Sequence, residues 1–301
     1  MTLSNWLNSV VQLRATVPER AFTASTLGTE REGSGVVIGK DGLVLTIGYL
    51  VTEAEEVWLT LRGGRVVAAH PIAIDQATGF ALVQAMGDLG LPPLELAEPG
   101  SAREGERVTL ADGNGRFTSG TVVARQEFAG YWEYLLDDAI FVAPAHPSWG
   151  GTGLIDGNGR LLGIGSLRLQ MGRNGEVTDI NMAVPVDQLV PVLDELRSRG
   201  TTGEPPRPWL GAFSAESDGR VVVMSVAEGG PAAKAGLQAG DIIADVRDGQ
   251  VEGLADFYRK VWASGPAGVE VPLRIVRGGR DTWLRVKSAD RADFLVKPVP
   301  Q

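Results

Sequence analysis

Residues 146–165 read HPSWGGTGLIDGNGRLLGIG. Paired glycines, Gly150 and Gly151, lead into a short apolar run at Leu154-Ile155, a polar turn over Asp156-Gly157-Asn158-Gly159, and a second apolar run ending at Ile164. Two short apolar runs joined by a Gly/Asn/Asp turn read as a β-hairpin. The device recurs. "GSGVVIGKDGLVLTIGYLV", from Gly33, turns at Asp41-Gly42, "VWLTLRGGRVVAAH", from Val57, turns at Gly63-Gly64, and "FALVQA" supplies another strand. After a Pro/Gly-rich connector ending at Ser101 comes a second series: "ERVTLADG", "FTSGTVVARQEF", "YWEYLLDDAIFVAP", the quoted stretch and "VTDINMAVPV". Two such groups of roughly six strands each suit two antiparallel barrels.

Composition narrows the rest. The chain has 301 residues, 44% hydrophobic and 22% charged, in the range of ordinary globular protein. Gly 40 and Pro 17 favour many strands over long helices. A net charge of −9 without a basic cluster argues against nucleic acid or an anionic membrane surface as partner. With Cys 0 there is no disulfide, thiolate metal site or cysteine nucleophile, and no metal or cofactor motif is present, so no cofactor is expected. The start, MTLSNWLNSVVQLRATVPER, lacks a basic opening, and its apolar stretch from Val10 to Leu13 is too short for a signal-peptide core. No run is long enough to span a bilayer. These features predict a cytoplasmic protein.

The period changes at residues 187–199, where Leu189, Val192, Leu193 and Leu196 share a helical face, Asp187 is placed to cap and Gly200 to stop. Pro191 is awkward unless the regular helix begins near it. Residues 200–208, GTTGEPPRP, read as a linker. Beyond them a smaller unit has strands expected at 221–226, 241–246, 271–277 and 282–287. Its clearest helix, 254–263, carries Leu254, Phe257, Tyr258, Val261 and Trp262 as one apolar stripe, for which core packing is the simplest reading.

These residues together resemble the HtrA/Deg family, a trypsin-like serine protease followed by a PDZ domain. The resemblance rests on the GSG hairpin at 33–35, "FTSGTVVA" from Phe117, "PWLGAF" from Pro208 and "GGPAAKAGLQAGDII" from Gly229. It implies a mainly β protein, a chymotrypsin-like double β-barrel with a C-terminal PDZ domain. The expected boundaries are an N-terminal segment 1–32, a protease-like domain 33–199, a linker 200–208 and a PDZ domain 209–297.

The same resemblance locates what is missing. Where the family places its histidine, "LTIGYLV" has Tyr49; where it places its aspartate, "DQATGFALV" has Gly79; where it places its serine, Gly150 stands. Asp75 matches a turn aspartate of that motif. A phenol titrating near ~10 is no substitute for imidazole at neutral pH. The resemblance therefore implies a pseudoprotease with no catalytic residue. Backbone N–H groups of Ser148 and Gly150 would remain as an oxyanion-hole remnant. Trp149, Asp179 and Asn181 are candidates to fill the old specificity pocket. A relocated Ser148–His146 site is the alternative that would make the chain an active endopeptidase. The other histidine, His70, has no carboxylate in the expected place.

The PDZ resemblance implies that peptide C-termini bind as an added strand. Leu210, Gly211 and Ala212 would offer N–H groups to the carboxylate, Phe213 would open the edge strand, and Phe257, Tyr258 and Val261 would line the opposite wall. Docking of the domain onto the barrel through Trp209 and Leu210 is the alternative reading of those two residues. Expected partners are polypeptide C-termini or unfolded protein, in an adaptor, sensor or chaperone-like role. A homo-oligomer, with Trp6 as one aromatic contact, and a regulatory subunit of an active HtrA paralogue stay open.

Overall fold

In the computed structural model residues 3–173 and 176–296 are described. Alternating apolar residues curl the first strands into a barrel. Strands β1 (Val10–Thr16), β2 (Glu30–Val37), β3 (Leu43–Ile47), β4 (Glu56–Thr60), β5 (Val66–Ile74) and β6 (Phe80–Ala85) close in the order β1-β2-β3-β6-β5-β4. Closure leaves no unpaired edge, and Leu13, Leu45, Leu59 and Leu82 are fully buried. β1 pairs with both β2 and β4 and so completes the ring. The barrel thus begins at Val10, so the expected separate segment 1–32 contains its first strand. Two short helices, α1 (Leu3–Asn8) and α2 (Ala24–Leu27), flank β1.

The second barrel orders β7 (Arg107–Ala111), β8 (Phe117–Gly130), β9 (Tyr134–Ala143), β10 (Gly153–Ile155), β11 (Leu161–Arg173) and β12 (Glu176–Pro185) as β10-β11-β12-β9-β8-β7. Leu110, Ile140, Val142, Leu154 and Leu162 lie in its core. Its adjacent hairpins, β7–β8 and β10–β11, turn on twin sequences, Asp-Gly-Asn-Gly-Arg at 112–116 and 156–160. In each the buried aspartate accepts the N–H groups two and four residues on and pairs with the arginine. Gly115 and Gly159 supply the left-handed φ of +82° and +87°.

After the barrels the chain makes a 3-10 turn at Val186–Gln188 and then α3 (Leu193–Arg199). The helix expected over 187–199 is shorter because Pro191 cannot continue a regular backbone ladder. Asp187 does not cap it; its carboxylate accepts from Gly100 N and Arg125 Nη2. Gly200 ends α3 with a left-handed φ of +74°, as its position predicts.

Two compact units result. One holds both barrels, through residues up to 126, 137–203 and Val296; the other holds 204–295 together with 127–136, the tip of the β8–β9 hairpin. In the second unit β13 (Ala212–Ser217), β14 (Arg220–Val226), β15 (Ile242–Val246), β17 (Glu270–Arg277) and β18 (Arg280–Lys287) form a sheet in that order, with β16 (Gly249–Gln250) on β15. Helices α4 (Pro231–Lys234) and α5 (Leu254–Trp262) accompany it. Leu210, Val223, Ile243, Phe257, Tyr258, Leu273, Ile275 and Val286 make its core. The end of the expected linker already belongs to this unit: Pro206 accepts the Ala267 N–H at 2.9 Å, and the Arg207 guanidinium lies 4.4 Å from the Trp262 ring centroid.

One polar atom is out of keeping with this core. Ser214, fully buried on β13, has a hydroxyl with no hydrogen-bond partner. A desolvated, unpaired hydroxyl costs about 1–3 kcal/mol. Ser214→Ala is expected to leave the protein as stable or up to about 1 kcal/mol more stable in urea denaturation; a loss of stability would mean that the hydroxyl has a partner.

Candidate functional site

The paired glycines of the loop 146–151 are set by steric demand. A Cβ on Gly151 would lie 1.8 Å from the Ser34 carbonyl oxygen, and one on Gly33 would lie 2.7 Å from that of Gly150. Glycine alone lets these backbones meet. Ser34 ties them: its N–H donates to Gly150 O (2.9 Å), its carbonyl accepts from Thr46 Oγ1 (2.7 Å), and its hydroxyl accepts from Gly113 N (3.0 Å). The GSG hairpin of barrel one is clasped to the loop of barrel two.

At the centre of this clasp stands Tyr49, on the 3-10 turn Gly48–Leu50 that ends β3. Its hydroxyl donates to Ser166 O at 2.8 Å. A Cβ built on Gly150 would lie 2.7 Å from that oxygen. The phenol thus fills the room a side chain at 150 would need, and desolvation pushes its pKa up, further from any use as a base. Gly79 has φ +81°, and its carbonyl accepts Gly48 N at 2.7 Å, holding the turn that carries Tyr49. Asp75 holds its own turn through Ala77 N, Thr78 N and Thr78 Oγ1.

Beneath Tyr49 lies a buried charged hub. Arg31, 4% exposed, donates to Tyr49 O and Thr52 O, both at 2.8 Å, and to Thr23 Oγ1. Glu53, 5% exposed and at φ +64°, accepts from Phe22 N, Thr23 N, Thr23 Oγ1 and Val296 N. Burial acts to raise its pKa, but bonds from Thr23, Val296 and Phe22 outweigh that and hold it below the ordinary carboxylate range. Nothing in the sequence marked this pair, because Arg31 lies on β2 and Glu53 in a turn beyond β3.

Ser148 and His146 do not form a nucleophile–base pair. Ser148 Oγ accepts from Arg116 Nη2 at 2.8 Å. His146, 1% exposed, holds its Nδ1 2.7 Å from Ser148 O and 3.1 Å from Ser148 N, so that nitrogen is spent on its own loop in either tautomer. This also corrects the oxyanion expectation at 148, since that N–H faces the histidine ring. Asn181 is fully buried, accepts His146 N at 2.6 Å and donates to Leu167 O at 3.3 Å. It alone of the three proposed plugs is buried: Trp149 is 38% exposed, and Asp179 pairs at the surface with Arg168. His70 lies exposed on β5. Trp6 packs over Gly159, where an added Cβ would lie 2.1 Å from its ring.

In the second unit the predicted loop does converge on a carboxylate. Leu210 N (3.0 Å) and Ala212 N (2.9 Å) donate to the two oxygens of Glu133, and the Gly211 N–H between them favours its ionised form. Gly211 makes the turn at φ +71°. Phe213 opens the edge of β13 and faces the Tyr131 ring at 6.4 Å. Phe257 and Val261 are fully buried core residues, whereas Tyr258 also sends its hydroxyl to Gly130 O at 2.7 Å. Trp209 pairs with Ala289 and packs its ring 4.8 Å from that of Phe294 within this unit. The acid that meets the loop comes from the hairpin tip, which sequence reasoning treated only as strand.

Comparison with known proteins agrees with this anatomy. The trypsin-like peptidase domain family matches residues 33–164 and the PDZ domain family residues 208–287. A probable periplasmic serine endoprotease DegP-like of Pseudomonas fulva is 29% identical over 90% of this chain and 59% of its own length. The serine protease Do-like HtrA of Bacillus subtilis is 24% identical over 95% of the chain and 70% of its own. The HtrA-type protease AlgW solved with tripeptide superposes with TM-score 0.56 at 22% identity, over 99% of this chain and 97% of that one. The chain belongs to the HtrA family.

This HtrA-family chain spans a little over half the length of the Pseudomonas relatives, 59% and 57%. Their names overturn the cytoplasmic expectation, since the Pseudomonas and Hahella relatives are named periplasmic. Cysteine absence is compatible with either compartment, and the first residues of the sequence say nothing about what precedes them. Among the described residues no helix is long and apolar enough to cross a membrane.

The Tyr49–Gly150 packing predicts a coupling. Gly150→Ser should cost about 1–3 kcal/mol in urea denaturation, as overpacking does. Tyr49→His should cancel part of that cost in the double variant, and strictly additive effects would count against the contact.

Glu133 predicts a pH dependence. Desolvation pushes its carboxyl from 4.5 up to about 7, against the pull of the Leu210, Ala212 and Gly211 N–H groups and of Arg291. Tyr258, the other titratable group facing it, is pushed upward and stays neutral. The docked tip binds the proton more tightly than a free tip, so docking is fully supported below pH 4.5 and loses support as pH rises through about 7. Amide exchange at 209–213, corrected for intrinsic rate, should accelerate from pH 5 to 8 in the wild type and run flat in Glu133→Gln.

Proposed function

We propose that this chain is an HtrA-family pseudoprotease that binds polypeptide C-termini through its PDZ domain, as an adaptor, sensor or chaperone-like scaffold. What carries the binding half is the convergence of the Leu210 and Ala212 N–H groups, on either side of Gly211, on one carboxylate. Backbone donors at a glycine turn suit a peptide's terminal carboxylate, and the β13 edge suits its last residues as an added strand. That AlgW has been solved with a tripeptide and with a decapeptide favours peptide as the ligand class.

The non-enzymatic half is supported by chemistry. Amide hydrolysis by this fold needs hydroxyl, imidazole and carboxylate in one line. Here the three places hold Gly150, Tyr49 and Gly79, and the hydroxyl of Ser148 and imidazole of His146 are each engaged elsewhere. Loss of a whole triad lowers turnover by about 10⁶ in serine proteases. The relatives are named serine endoproteases, so the proposal is a departure of this chain from them. Their names favour the periplasm as the compartment of the proposed work.

Two measurements test this reading. A fluorophosphonate probe and casein should find no reactive serine and no turnover; labelling abolished by Ser148→Ala would overturn the pseudoprotease half. On an array of peptides, free-acid C-termini should bind and their amidated twins should not. Equal binding of acid and amide would remove the C-terminus half.

A further inference from the structure

The hairpin turn 131–133 meets the free edge of β13 at two points, one through backbone and one through a side chain. Alternate N–H groups of a strand face the same edge, and here those of Ala212 and Ser214 are both taken. Ala212 N meets the Glu133 carboxylate at 2.9 Å and Ser214 N meets the Tyr131 carbonyl at 3.0 Å. Stepping two residues up β13 steps two residues back along the tip, which is antiparallel register. From the other side Tyr258 of α5 donates to Gly130 O at 2.7 Å and accepts Glu133 N at 3.3 Å. Leu135, 8% exposed, joins the apolar cluster of Leu210, Phe257 and Val261. At Glu133 the backbone turns away at φ +60°, a conformation few side chains favour, and only the side-chain carboxylate continues into the loop.

We propose that residues 131–133 are a built-in copy of a peptide C-terminus, and that Glu133 holds the PDZ carboxylate loop closed until an incoming terminal carboxylate displaces it. The inference rests on the C-terminus reading above and adds what that reading lacks, a competitor inside the chain. It also names the ligand class. The competing peptide places its terminal carboxylate on Leu210, Gly211 and Ala212 and its third-from-last carbonyl on Ser214 N. In that third-from-last place Tyr131 lays its ring against Phe213, so an aromatic residue there fits the groove. A tethered ligand competes at an effective concentration of order mM. Peptides therefore bind the intact chain more weakly than the bare groove, by the factor with which the docked tip outweighs the free one.

The test uses the full chain and the peptide Phe-Ala-Gly-Tyr-Trp-Ala, as free acid and as amide. Glu133→Gly removes the carboxylate while tolerating the left-handed backbone, so it leaves the hairpin unstrained; Glu133→Gln keeps the shape and removes the charge. Amide exchange at 209–213 is expected to be at least ten-fold faster in Glu133→Gly, with the barrel strands unchanged. The free-acid peptide is expected to bind that variant at least ten-fold more tightly than wild type, and Glu133→Gln, which stays neutral in the docked place, no more tightly than wild type. Exchange and affinity equal to wild type would overturn the role of Glu133. Faster exchange with no acid-dependent binding in any variant would support Glu133 as the clamp on the loop and overturn the C-terminus reading instead.

Discussion

The hydroxyl of Tyr49 and the missing side chain of Gly150 occupy one volume, and much of the cleft between the barrels follows from that. With the phenol on the Ser166 carbonyl, residue 150 has no room for a side chain. With glycine at 150, the phenol has a fixed acceptor and a desolvated seat. The two residues are complementary in shape, so this part of the cleft is packed by its own side chains. Backbone pairing around it is unaffected, because Ser34, Gly150 and Gly151 meet through main-chain groups that do not depend on catalytic side chains.

What fixes Tyr49 from below is unusual chemistry for a core. Burying Arg31 and Glu53 costs several kcal/mol per ion unless every polar atom is satisfied. Here Arg31 caps two carbonyls of the turn carrying Tyr49, and Glu53 gathers four donors, one from Val296 near the described end of the chain. Such a hub is poor evidence for net stability. It is good evidence for specificity of position: shifting the turn would orphan charges, so the turn has one place to be.

The barrels were legible because hairpin turns and period-two runs are local signals; Asp41-Gly42 and Gly63-Gly64 each sit between the strands they were expected to join. Tyr49, Gly79 and Gly150 were singled out because a family frame fixes register whatever side chains stand in it. β1 was missed because its partners, β2 and β4, come later in the chain and only closure reveals it. Asp187 was misread as a cap because a carboxylate near a helix start looks the same in sequence whether it serves that helix or, as here, Arg125. Glu133 was invisible for a related reason. Its partner loop lies 77 residues on, and an acid in a hairpin tip ordinarily reads as a solvated surface residue.

The two filled places in this chain differ in whether they can reopen. Tyr49 is neutral over the whole physiological range and bonded to a buried carbonyl, and no proton uptake or loss near pH 7 alters its fit. Glu133 sits where desolvation, opposed by the backbone donors of the loop, pushes its carboxyl up to about 7. A group in that balance is held by a small difference between large effects, and a fully ionised terminal carboxylate from a peptide meets the same donors without the strained backbone at 133. Tyr49 is thus tied to its place by packing and that one hydrogen bond. Under the proposal made above, Glu133 instead leaves the PDZ loop a site whose occupant can be exchanged, which is the property a peptide sensor needs and a structural plug does not.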